Sequence, residues 1–449
     1  MKLHQAFHIV RGDVVAFIGA GGKTSTLIRL GYELADMGWR VLATTTTTIE
    51  TEQLNLLPRA LSPDVGSQII SQALTEDKFV FLYDHIKGGA VYGAEPNIVP
   101  MLMDQVDSDV LLIEADSADG KLLKAPYDDE PVIPPETSLI IQVSSLSAIG
   151  KPLDAEYVYN VDEIINRYGF PHGAKIRAPW VAQVIRDRML GLKNVPTDAR
   201  TLAFLNQTAV KGHARLRARL VAKIALKSSC LQSVVIGSAR SHEPIIEIQR
   251  PIGAVVLAAG LSTRMGQSKM LLDWSEDKTV IEHIIDQLTA ARLEHITIVT
   301  GHKGKEIKAL LKPQEVNLVH NRSYKSGEML SSLKVGLNAL PDHIMAALLV
   351  LGDQPQIKPK VFYQLLQAYA EGTAQIIVPS FNKYHGYPII IGRRYWDEIL
   401  NIPRDGSLQE FLARHTDQIS YVNVDDDCIL RDIDTPQEYL MERWRAGFA

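Results

Sequence analysis

Short apolar runs rich in β-branched residues alternate, along almost the whole chain, with stretches whose apolar positions recur every three or four residues. Runs of the first kind predict buried strands and stretches of the second kind predict helices. Their alternation predicts an α/β protein with mainly parallel sheets. In the first half the predicted strands are 14–18, 41–45, 110–115, 138–143, 201–206 and 233–237. In the second half they are 254–258, 295–301, 316–320, 346–353, 375–379, 387–391 and 419–424. Each half has enough strands for its own sheet, and 449 residues suit two domains. The polar, proline-containing stretch SHEPIIEIQRPIG (241–253) separates the two strand sets, which places domain one at 1–250 and domain two at 251–449. The basic amphipathic segment 214–227 reads as a helix with a solvated face.

Composition changes this picture little. A hydrophobic share of 46% and a charged share of 22% suit soluble cores, and a net charge of -5 gives no bulk attraction to nucleic acid. Cys230 and Cys428 are far apart and form no metal-ligand spacing, which suits a reducing compartment. Arg11, Gly12 and Asp13 interrupt the apolar run near the N-terminus, and no segment approaches the roughly 18 apolar residues of a membrane span. The expectation is a cytoplasmic protein with neither a nucleic-acid nor a membrane partner.

The candidate chemistry of the second half begins at VVLAAGLSTRMGQSKMLL (255–272). A strand enters a small-residue loop bearing Arg264 and Lys269. Such a loop lets backbone N–H groups approach phosphate oxygens, while one guanidinium and one ammonium offset the charge on leaving pyrophosphate. Further on, AALLVLGD ends a buried strand in Asp353, where ligands of open α/β sheets bind. LRDIDTPQEY then supplies Asp432 and Asp434. Separated carboxylates are what a magnesium-triphosphate site needs, although a strand-terminal aspartate is often a turn residue and Asp-Thr-Pro often a helix start.

These motifs together resemble the MobA-like nucleotidyltransferases and, within them, the molybdenum cofactor cytidylyltransferases. The resemblance covers 252–440 and rests on LAAG-x-S-x-RMG-x-x-K, GD-x-P and DIDTP. It implies a Rossmann-like nucleotidyltransferase domain whose triphosphate loop comprises Leu257, Ala258, Ala259, Gly260, Arg264, Gly266 and Lys269. It also implies a metal held by Asp353, with Asp434 a second candidate. Gly327, Ser331 and Ser332 match the family's segment near the base and acceptor; helix capping is an equally open reading of those serines. The chain departs from the family at Gly386-Tyr387-Pro388, where relatives carry Gly-His-Pro, and at Gly406-Ser407-Leu408, where they carry Gly-Ala-Arg. Both departures fall in regions expected to face the acceptor.

In the first half, GAGGKTS follows a predicted strand and precedes a helix with Leu27, Leu30, Leu34 and Met37 on one face. That is the context of a P-loop. Gly19, Gly21, Gly22 and Ser25 would form the phosphate cradle, Lys23 would reach the β and γ groups, and Thr24 would sit on magnesium. The run Thr44–Thr48 offers hydroxyls to the metal or γ-phosphate, or simply a β-branched strand end. Glu114 and Asp116, in IEAD, are candidates for the acid that anchors metal-bound water. In FLNQTA the acidic position of a guanine-recognition motif is Ala209. Residues 8–245 resemble the YqeC-like accessory proteins associated with selenium-dependent molybdenum hydroxylases, through GAGGKTS, the threonine run, EAD, LKAP and EPVIP.

The combined expectation is a maturation enzyme with two parts. A P-loop NTP-binding domain precedes a domain that transfers CMP from CTP to molybdenum-molybdopterin, with Mg²⁺ or Mn²⁺ and release of pyrophosphate. The resemblance implies an apo molybdenum hydroxylase of the xanthine dehydrogenase type as recipient. GTP as donor, a sugar phosphate as acceptor, and a non-catalytic cofactor chaperone remain alternatives.

Overall fold

The computed structural model describes all residues except 58, 210, 211, 313, 326–328 and 449. Gly327 therefore lies outside the described residues. The chain separates into two compact units, Met1–Gln249 and Arg250–Ala449. Both are α/β units, each built on its own sheet.

The first unit has a nine-stranded sheet: β1 (Val14–Gly19), β2 (Val41–Thr45), β3 (Ala60–Leu61), β4 (Phe79–Leu82), β5 (Val110–Glu114), β6 (Leu139–Ser145), β7 (Arg200–Asn206), β8 (Ser233–Gly237) and β9 (Ile245–Gln249). Their order is β9-β8-β7-β6-β1-β5-β2-β4-β3, parallel throughout except for β9. Central strands such as β1 and β5 are apolar almost without interruption because helices cover both faces. Helix α1 (Lys23–Asp36) follows β1 and buries Leu27, Leu30 and Leu34. Met37, expected on that face, caps the helix and is exposed.

Two expectations about this unit change. Residues 245–249 were expected in a polar connector, yet they pair antiparallel with β8 as its edge strand. Glu247 disguises the strand in sequence, because its carboxylate is fully buried and held by Arg215 and Arg219. Those arginines lie on α2 (His213–Ala225), so its basic face is partly tied to the sheet rather than simply solvated. Strands β3 and β4 and a three-stranded sheet of Thr48–Glu50, Ala90–Tyr92 and His85–Lys87 add to the strands expected from sequence.

The second unit contains β10 (Ile252–Ala258), β11 (His295–Thr300), β12 (Asn317–His320), β13 (Ala346–Leu351), β14 (Ile376–Phe381), β15 (Tyr384–His385), β16 (Ile389–Gly392) and β17 (Ile419–Asn423). Their order is β12-β11-β10-β13-β16-β14-β15, with β17 also on β14. Strand β10 runs parallel to both β11 and β13. The chain passes from β10 to β11 on one side and returns later as β13 on the other. A crevice therefore opens at their carboxyl ends. Tyr387 and Pro388, expected in a strand, precede β16 instead. No helix among the described residues is long and apolar enough to cross a membrane.

Candidate functional site

In the second unit the loop after β10 and the segment after β13 meet at that crevice. Gly352 N–H donates to the Leu257 carbonyl at 3.0 Å, which ties the two strand ends together. Ala258 and Ala259 are buried, whereas Gly260 is exposed and a side chain there would project into open space. Gly266 has φ +74°, a conformation that favours glycine, and again faces open space. Ser262 braces the loop by accepting the Lys269 N–H on its hydroxyl at 3.2 Å.

The charged groups converge behind this loop. Lys269 Nζ lies 3.2 Å from Asp353 Oδ2 and also pairs with Asp434 Oδ1, while Arg264 pairs with Asp434 Oδ2. Burial opposes the charge on Lys269, but the two carboxylates outweigh it and raise the ammonium pKa above its ordinary value. Asp432 shifts upward, first through burial and then through repulsion from Asp434 and Asp353. The arrangement collects two cations and three carboxyl groups from loops 84 and 165 residues apart in sequence. Arg264 is 71% exposed and able to swing toward a ligand, whereas the Lys269 side chain is only 10% exposed and fixed in place.

Two glutamines that sequence reasoning did not single out hold the acidic segments together. Gln354 Nε2 and Gln356 Nε2 both donate to the Arg431 carbonyl, at 2.9 and 2.6 Å, and Ile433 N–H donates to the Asp353 carbonyl at 3.0 Å. Their signal was position: both flank the proline of GD-Q-P-Q. Thr435 caps α4 (Pro436–Arg445) reciprocally with Glu438, so DIDTP is a helix start that also aims Asp434. Ser331 and Ser332 lie on α3 (Met329–Asn338) and accept hydrogen bonds from Asn321 Nδ2 at 2.8 and 3.0 Å. Ser332 is buried and Ser331 half-buried, so this clamp spends part of their capacity on the fold.

The donor set suits a hard divalent ion. Asp353 and Asp434 offer oxygen ligands and keep solvent access, at 30% and 20% side-chain exposure. Among the described residues no group of three or more His, Cys, Asp or Glu forms a self-sufficient metal cage. Substrate phosphate oxygens would have to complete the shell, as is usual for Mg²⁺.

In the first unit Gly19, Gly21 and Gly22 all have positive φ, and a Cβ at Gly21 would lie 2.4 Å from Ser145 Cβ. The loop is therefore pressed against the end of β6. Lys23 is almost fully buried; its Nζ donates to the Gly19 carbonyl at 2.8 Å and lies 3.0 Å from Asp116 Oδ1 and 3.8 Å from Glu114 Oε1. Asp116 also accepts the Gly19 N–H at 2.8 Å, and Thr24 donates to Glu114 at 2.7 Å. Burial raises the pKa of Glu114 despite the nearby lysine. Lys124 adds a second buried ammonium, 3.4 Å from Asp116 and 2.8 Å from Glu130.

A cleft of about 420 Å³ lies above this loop, lined by Gly21, Gly22, Lys23, Thr24, Ser25 and Glu114 together with Thr48, Lys121 and Arg240. Of the threonine run, Thr48 reaches the cleft. Thr44, Thr45 and Thr46 donate their hydroxyls to the Leu82, Glu114 and Val132 carbonyls. Asn206 Nδ2 donates to the Gly21 carbonyl at 2.9 Å, which makes this residue a brace of the glycine loop.

Comparison with known proteins follows the same division. A family model described as YqeC protein matches residues 15–162, and one described as MobA-like NTP transferase domain matches residues 254–419. The chain carries a YqeC-type domain and a MobA-like NTP transferase domain. The YqeC-type domain is similar to YqeC of Escherichia coli (strain K12), 28% identical over 52% of this chain and 91% of that protein. The MobA-like domain is similar to the molybdenum cofactor cytidylyltransferase of the same organism, 29% identical over 43% of this chain and 96% of that protein. Among solved structures, Rv0371c from Mycobacterium tuberculosis H37Rv is 25% identical with a TM-score of 0.38, covering 42% of this chain and 96% of its own. The MobA-like domain places the chain among nucleotidyltransferases.

Proposed function

We propose that the MobA-like domain transfers CMP from CTP to molybdenum-molybdopterin, giving the cytosine dinucleotide form of the cofactor for a molybdenum hydroxylase of the xanthine dehydrogenase type. The observation that carries the reading is Lys269 held between Asp353 and Asp434 at the mouth of the β10–β13 crevice. Similarity to a molybdenum cofactor cytidylyltransferase supports the acceptor, and the double alanine of LAAG supports cytosine.

In this mechanism an oxygen of the acceptor's terminal phosphate attacks the α-phosphorus of CTP. The new P–O bond forms as the bond to the β-phosphate bridging oxygen breaks, and pyrophosphate leaves. The nucleophile is already an anion, so no general base is needed. Arg264 turns from Asp434 toward the β and γ oxygens, and buried Lys269 neutralises charge as it builds on the leaving group. Asp353 and Asp434 would hold Mg²⁺ or Mn²⁺, which when bound neutralises phosphate charge. Asp353→Ala should abolish pyrophosphate release from CTP and molybdenum-molybdopterin while circular dichroism stays unchanged; near-normal turnover in that variant would refute the assignment. Offering CTP, GTP and ATP side by side, with a sugar phosphate as competing acceptor, tests the substrates.

For the YqeC-type domain we propose an NTP-binding maturation role. Gly19, Gly21, Gly22 and Ser25 would cradle the phosphates, Lys23 would leave Asp116 to meet them, and Thr24 with Glu114 would serve the metal. The glycine loop, the buried lysine and the open cleft support it. Lys23→Ala should lower any NTP-dependent phosphate release at least tenfold; equal rates in the two proteins would remove this loop as a catalytic element.

A further inference from the structure

Three cations line the cleft of the YqeC-type domain, and they are not equally available. Lys23 is buried and engaged by Asp116, Glu114 and the Gly19 carbonyl. Lys121 rests on the Glu156 carbonyl at 3.3 Å. Arg240 is exposed, pairs with no carboxylate among the described residues, and donates from Nη2 to the Ser25 hydroxyl at 3.3 Å. It comes from the loop after β8, three strands away from β1 in the sheet.

Its placement is built rather than incidental. Asn206 at the end of β7 donates to the Gly21 carbonyl and accepts the Ala239 N–H on its Oδ1 at 3.0 Å. One buried amide thus fixes the glycine loop with one end and the residue before Arg240 with the other. The Gly22 position is closed by the same amide, since a Cβ there would lie 2.5 Å from Asn206 Nδ2. The backbone next to Arg240 is therefore fixed relative to the loop, and the guanidinium lies at the first turn of α1.

We infer that Arg240 is the clamp for the terminal phosphate of a nucleoside triphosphate bound on GAGGKTS, so that this domain takes triphosphates in preference to diphosphates. The inference rests on the NTP-binding reading of that loop. The loop amides serve the inner phosphates and Lys23 reaches the β and γ groups, but Lys23 is already partly neutralised by two acids. A planar guanidinium without a carboxylate partner supplies the missing charge in a geometry that matches phosphate oxygens. An arginine supplied from within the chain is a recurrent part of phosphoryl-transfer sites.

The test uses the full-length chain with Lys269→Ala in the MobA-like domain, to weaken triphosphate binding there. Calorimetry compares the β,γ-imido triphosphates of adenosine and guanosine with ADP and GDP. Only the binding component that Lys23→Ala removes is assigned to the YqeC-type site. Arg240→Ala should weaken triphosphate binding in that component at least tenfold and change diphosphate binding by less than twofold. Arg240→Lys should recover only part of the loss. Because Arg240 is exposed, the melting temperature should stay within about 1 °C in both variants. Equal losses for diphosphate and triphosphate, or no loss for either, would overturn the clamp while leaving the NTP site standing. If no nucleotide binding depends on Lys23, the NTP-binding reading and the clamp fall together.

Discussion

At the scale of single residues, the charges of this protein are committed in pairs whose burial sets their worth. Glu247 is the clearest structural case, a fully buried carboxylate held by two partly exposed arginines. Burial alone would raise its pKa, yet Arg219 and Arg215 outweigh that and depress it below the ordinary value. A depressed carboxylate contributes stability that is present above the ordinary glutamate range and is lost progressively as pH falls below that range through the folded-state pKa. Glu247→Ala should cost about 2 kcal/mol, discounted for the solvent that reaches both arginines. Urea denaturation at pH 7 and pH 3.5 checks both statements: the difference between variant and parent should shrink at the lower pH. Lys269 is the functional counterpart. Burial opposes its charge, and Asp353 and Asp434 outweigh burial and raise its pKa above the ordinary value.

At the scale of elements, activity depends on how the terminal segment is docked. A Cβ at Gly386 would lie 2.0 Å from the Ile429 carbonyl, and Tyr387 N–H donates to that same carbonyl at 3.3 Å. The turn before β16 therefore sets the height of the segment that carries Asp432 and Asp434. Gly386→Ala should push that segment outward, lowering pyrophosphate release at least tenfold and costing about 1–3 kcal/mol as an overpacked contact. Retained activity with the expected loss of stability would show that Asp434 tolerates displacement. The departure at Gly406-Ser407-Leu408 has a structural account as well. Ser407 caps helix Leu408–Arg414 in a reciprocal pair with Glu410, which an alanine could not do.

At the scale of the whole molecule, each unit has a core of its own. The apolar clusters of the first unit contain only residues up to Ile248, and those of the second only residues from Ile252 onward. Chains of 1–249 and 250–449 made separately should therefore each unfold cooperatively. Differential scanning calorimetry of the two pieces checks this; a piece without a cooperative transition would show that it needs the other. If the two activities serve one cofactor, the covalent link matters through effective concentration rather than fold. Pyrophosphate release by 250–449 alone, with saturating substrates, should then match the full chain within about twofold.

The sequence by itself determined most strands of both sheets, with β3, β4, β9 and β15 the exceptions, and the loops that follow β1 and β10. Apolar runs have no stable place outside a core, and small residues beside a lysine and an arginine have few uses outside phosphate binding. It also determined the acids Asp353 and Asp434 as candidates, because each stands where a strand or helix boundary faces a crevice. Tertiary structure decided the partners. No local pattern could reveal that Glu247 belongs inside a strand, since its burial is tolerable only once two arginines from α2 arrive. Nor could it reveal that Gln354 and Gln356 grip the Arg431 carbonyl, or that Asn206 joins the glycine loop to the loop of Arg240. These bonds cross long stretches of chain, and their strength depends on low local dielectric and fixed orientation. Both are properties of packing, and they arise only when distant segments have been brought together.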